Sequence, residues 1–135
     1  MAVTTRKVRN TDALGHKILV VELVTAVSLA DVLAYKFIPG HPFQIVGAEG
    51  WARTEAGVVT ADVKIEAVTS LAAVIAFATA TRVVATLHAT LANIRGSKTD
   101  AINVHFTTDA AGVLTNGFVT VRYRQMPMSG DAAHE

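Results

Sequence analysis

The chain has 135 residues, 51% hydrophobic and only 17% charged, and its twelve Lys and Arg against eleven Asp and Glu leave a formal charge of +1. That length suits one domain with one core, and a charge content below the about 25% of an average soluble domain means that much apolar surface must be hidden, within a fold or between subunits. No clustered basic face is available to displace counterions from nucleic acid, no apolar run approaches the roughly 20 residues of a membrane helix, and the lack of cysteine excludes disulfides, thiolate metal sites and a thiol nucleophile.

Residues 1–15 carry the one close group of basic side chains, Arg6, Lys7 and Arg9, without the apolar stretch of a secretory leader. They are expected to form an arm ahead of a domain over 16–127, with 128–135 as a C-terminal tail. Residues 17–25 read as a strand apolar on both sides apart from Glu22, so Val20, Glu22 and Val24 are candidates for contact with another subunit. Residues 28–37 admit two readings. A short helix would have Ser28 as its cap and Leu29, Val32, Leu33 and Phe37 on one face; a strand would run into Pro39-Gly40, and is preferred.

Residues 43–54 read as a strand interrupted by Gly47 and Gly50, which mark a bulge or the close approach of another part of the chain. Over 58–68, Val59, Ala61, Val63, Ile65 and Ala67 alternate with Thr60, Asp62, Lys64 and Glu66, a strand with one dry face. Residues 71–78 mix helix-favouring alanine with Val74, Ile75 and Phe77, and a strand is preferred there too. Two-residue alternation recurs over 82–91, 101–107 and 118–124, the last setting Val119, Val121 and Tyr123 opposite Thr120, Arg122 and Arg124. Corners are expected at Glu55-Ala56-Gly57, Arg95-Gly96-Ser97 and Thr115-Asn116-Gly117, each with a residue tolerant of positive φ. About seven or eight short strands with regular turns, and no crossover helices, predict an all-β, antiparallel jelly-roll or β-sandwich fold.

Little in this chain looks like chemistry. His88 and His105 fall on the polar sides of two strand patterns and could share a metal, with Asp62, Glu66 or Asp109 as further oxygen donors, but spacing fixes no third ligand. Gly96-Ser97-Lys98-Thr99 lacks the glycine before lysine that a phosphate loop requires. No serine sits in a nucleophile signature, and no two carboxylates are spaced as a catalytic pair. The expectation is a non-enzymatic protein without cofactor or metal. Trp51, the sole tryptophan, is either an anchor in a core or interface or a stacking platform for a sugar, and Tyr35 and Phe37 carry the same two readings. Arg122 and Arg124 are expected in surface ion pairs or rim contacts.

The run from Phe37-Ile38-Pro39-Gly40-His41-Pro42-Phe43 to Gln44-Ile45-Val46-Gly47, the stretch Ala61-Asp62-Val63-Lys64-Ile65, and the ending Asp109-Ala110-Ala111-Gly112-Val113-Leu114-Thr115-Asn116-Gly117 into Val119-Thr120-Val121-Arg122-Tyr123-Arg124 together resemble small structural proteins of tailed bacteriophages. The resemblance runs over residues 31–126, in order and composition and not in an invariant motif; the alanine-rich residues 71–80 depart from it. It implies a jelly-roll or β-sandwich module on a virion, either a capsid decoration (cement) or a head-spike or fibre subunit. Such a subunit is expected to form a homotrimer, to bridge the major capsid protein of a phage head, and to be assembled in the host cytoplasm. Residues 17–25, with Trp51 and the basic Arg6, Lys7 and Arg9, would then supply contacts. The rival expectation is a carbohydrate- or receptor-binding sandwich on the virion surface.

Overall fold

A computed structural model describes residues 2–11, 16–27, 32–109 and 111–126. Those residues form two antiparallel sheets packed face to face. In chain order the strands are β1 (Ala2–Thr11), β2 (Lys17–Val27), β3 (Val32–Phe37), β4 (Phe43–Ala56), β5 (Val59–Ile65), β6 (Val68–Thr69), β7 (Ile75–Ala76), β8 (Val83–Val84), β9 (Arg95–Gly96), β10 (Ile102–Thr108) and β11 (Val113–Gln125). One sheet runs β1-β2-β11-β4-β8, with β9 also paired to β4; the other runs β3-β10-β5-β6, with β7 also paired to β5. The chain is an all-β sandwich, as its alternation predicts.

The alternation makes each sheet one-sided and so fixes the register. Leu19 and Val21 of β2, Val119 and Val121 of β11, and Phe43 and Ile45 of β4 turn inward from the first sheet, all without exposed surface. Val63 of β5 and Ile102, Val104 and Phe106 of β10 meet them from the second, equally buried. Tyr123 ties the two layers at one end, its ring 6.0 Å from Phe37 and 6.2 Å from Phe43. Phe77 stacks on Phe106 at 6.1 Å nearer the side that β7 and β8 close.

Both interrupting glycines of β4 do what their positions suggest. The register with β11 slips beside Gly47, between the Gly47–Arg122 and Ile45–Tyr123 pairs. A Cβ on Gly50 would lie 2.8 Å from Ile75 Cγ2 and 2.9 Å from Phe77 Cε1, so the 75–77 segment crosses β4 where no side chain intervenes. Gly57, at φ 68°, turns the chain from β4 into β5 and thereby from one sheet to the other.

Four expectations need correction. The N-terminal arm is strand β1, in register with β2 from Ala2 to Thr11; the β-branched Val3, Thr4, Thr5 and Val8 favour that extended state once β2 offers an edge. The expected corner at 115–117 lies inside β11. Asn116 alone takes a left-handed φ of 50°, while Thr115 and Gly117 stay in step with Thr54 and Ala52 of β4.

Third, residues 82–91 are regular strand only at β8. Their exposure alternates from Arg82 to Leu87, but their backbone is divided between partners: Ala85 N–H donates to Ala48 O, His88 N–H donates to Ser70 O, and Thr86 O accepts from Ala72 N–H. The segment closes one side of the sandwich instead of joining one ladder. Residues 71–78 likewise keep regular strand only at β7. For residues 28–37 the strand reading holds from Val32 onward, and 28–31 lie outside the described residues, as does the C-terminal tail.

Candidate functional site

The outer face of the β1-β2-β11-β4-β8 sheet carries the most concentrated set of candidate residues. Registration sets Glu22, Phe118 and Trp51 in one row across β2, β11 and β4. The next row is Val20, Thr120, Glu49 and Val84, continuing onto β8. Directly opposed residues of neighbouring strands project from the same face, so these rows are true side-chain neighbours. Trp51 is half-buried, and its ring centre lies 5.7 Å from that of Phe118 with the planes tilted by 31°.

Beside this aromatic pair Glu49 is held by two guanidinium groups. Arg82 donates Nε–H to Oε2, and Arg122 donates from Nη2 to Oε1 at 3.3 Å. The Glu49 side chain is only 16% exposed while that of Arg82 is 62% exposed, so the carboxylate is fixed against the sheet and the arginine leans over it from solvent. Glu49, Gly50, Trp51, Arg82 and Phe118 line a shallow cavity of about 180 Å³. Among the described residues the Trp51 indole N–H has no hydrogen-bond acceptor, and Arg82 uses only Nε. The three charged groups sum to one positive charge. Arg124, further along β11, donates to Gln44 Oε1 at 3.1 Å.

The other sequence candidates are dispersed. Val20 and Glu22 face outward on β2, in register with Arg6 and Thr4 of β1. Lys7 pairs in register with Leu19; the side chains of Arg6, Lys7, Arg9 and Val24 lie outside the described residues. Tyr35 is no surface platform, because it stands opposite the fully buried Val104 and packs against the core from the edge strand β3. His105 faces outward on β10 between Leu33 and Asp62, whereas His88 accepts from Thr90 N–H through Nδ1 in the 85–90 stretch. Among the described residues no three His, Asp or Glu side chains gather into a metal-binding group.

Elsewhere, buried polar groups serve the fold. Ser70 donates to Asn93 O at 2.8 Å, Thr69 to Asp62 Oδ1 at 2.6 Å, and Asn103 Nδ2 to the carbonyl of Glu66, which sits at φ 54°. Asn103 Oδ1 is the one buried side-chain polar atom among the described residues without a partner.

Sequence reading placed Arg122 on the outer face and left Trp51 open between an anchor and a platform, but missed Phe118 and Glu49 as their neighbours. Two-residue periodicity sets Glu49 with Trp51 and Phe118 with Arg122, yet the register joining the two strands is not a local signal. Among the described residues no helix is long and apolar enough to cross a membrane. No protein-family model matches the chain, and no curated protein matches it.

Proposed function

We infer that this protein is a non-enzymatic assembly subunit of a tailed-phage head, a decoration or spike module that forms a homotrimer and bridges the major capsid protein. The observation that carries the reading is the outer edge of β1. It is a ten-residue strand at the end of its sheet, and no other strand pairs with that edge among the described residues. Such an edge presents backbone donors and acceptors ready to pair with a second chain.

Two further features support it. The sheets order β2-β11-β4-β8 against β3-β10-β5-β6, an order that supports the jelly-roll reading, a scaffold suited to repeated shells. Eight large hydrophobics are exposed among the described residues, four on strands of both sheets (Leu33, Val68, Val84 and Val113) and four in the connections between strands. Covering them on several sides suits a subunit wedged between neighbours better than one with a single small ligand. Around a symmetry axis, each modest contact is multiplied, and capsomers separate only when all are lost.

Mixing the purified protein with emptied heads of the phage that encodes it, then sedimenting the particles, tests this directly. Saturable co-sedimentation at a fixed ratio to capsid protein is expected. Protein left wholly in the supernatant would overturn the assignment.

A further inference from the structure

We propose that the Trp51–Phe118 cavity is a saccharide site, taking one hexopyranose ring of a glycan. This does not rest on the assembly reading, since β2 and β11 separate β4 from the β1 edge. Three observations combine. The two rings, 5.7 Å apart and inclined by 31°, place a pair of partly exposed aromatic side chains on the outside of the sheet, of the kind that packs on the C–H face of a sugar. The cavity of about 180 Å³ falls below the size of a pocket for a drug-sized ligand and matches a single ring.

Glu49 and Arg82 belong to the lining beside the rings. Glu49, immobilised by Arg82 and Arg122, accepts; the exposed Arg82 and the Trp51 indole N–H, unpartnered among the described residues, donate. A compact ion would leave the rings unused, and a wholly apolar ligand would make no use of the Arg82 and Trp51 donors. A pyranose, apolar on its faces and hydroxylated at its rim, uses both.

Because Trp51 is the only tryptophan, its emission reports the site without labelling. The full chain is titrated with glucose, N-acetylglucosamine and galacturonic acid, each as free sugar and as longer oligosaccharide, which distinguishes terminal from internal rings. A saturable change in emission with at least one of them is expected. Phe118→Ala and Arg82→Ala should each weaken that binding about tenfold, the scale of one good aromatic or charged contact, with native circular dichroism retained. Trp51→Phe, followed by calorimetry, should keep most of the affinity. No response to any sugar at roughly 10 mM, well above a millimolar Kd, would overturn the proposal. So would unchanged affinity in either alanine variant, or an emission shift that follows protein concentration instead of sugar, which would mark the rings as a self-association contact.

Discussion

Replacing Gly50 by alanine places a methyl group where the 75–77 segment already packs on β4. The added Cβ would stand 2.8 Å from Ile75 Cγ2, 2.9 Å from Phe77 Cε1 and 3.3 Å from Phe77 Cζ, against about 3.5–4.0 Å at the favourable separation of two carbons. Neither neighbour can swing into solvent, since Ile75 is 1% and Phe77 6% exposed, and Phe77 is further held by its stack on Phe106. Overpacking of this kind costs about 1–3 kcal/mol, which for a domain of this size lowers Tm by roughly 4–10 °C. Ile75→Ala deletes the nearest methyl. On its own it should cost about 2–5 kcal/mol, but in its background Gly50→Ala should cost on the order of 1 kcal/mol less than in wild type. Urea unfolding followed by Trp51 emission measures all four corners of this cycle. A Gly50→Ala penalty that is negligible, or equal in both backgrounds, would refute the close crossing.

Phe106→Ala, which empties the centre of the core at a residue with no exposed surface, should destabilise by about 3–5 kcal/mol in the same assay. Ala80, exposed at φ 52°, lies in the left-handed region that costs L-residues roughly 1–2 kcal/mol. Ala80→Gly should therefore raise stability by about 0.5–1 kcal/mol after the added chain entropy of glycine, and a lower Tm would contradict that conformation. Burial pushes the Tyr123 phenol above its ordinary value of 10.0, so the folded protein keeps this proton at a pH where the unfolded chain releases it. The stability it contributes is complete below the unfolded value and is lost as pH rises through the raised native one. Unfolding scans above pH 10 should show that loss, and Tyr123→Phe should diminish it.

The parts of the fold legible in the sequence were those with a local physical cause. One dry face per strand announced β5, β10 and most of β11, and Gly50 announced a close crossing, because both follow from residues a few positions apart. What stayed hidden depended on distant register. Glu49 and Arg122 are 73 residues apart, and only the β4–β11 pairing makes them partners. The same pairing brings Phe118 beside Trp51. Residues 82–91 misled because the alternation, kept in exposure only as far as Leu87, belongs to a segment whose hydrogen bonds go to both sides of the sandwich. Tyr35 stayed open between anchor and platform because nothing local says that its opposite number, Val104, is core. At the other extreme, β1 was read as an arm since nothing local says that a polar, β-branched segment will find an edge to join.

The central claim is that the β1 edge, unpaired among the described residues, and the exposed apolar residues assemble this chain with itself. Light scattering coupled to size exclusion, run at several concentrations, measures that directly. The account predicts a stable particle of three times the 14.2 kDa chain mass, reduced to a monomer when residues 2–11 are removed. A full-length protein that remains at 14.2 kDa across the concentration range would contradict it.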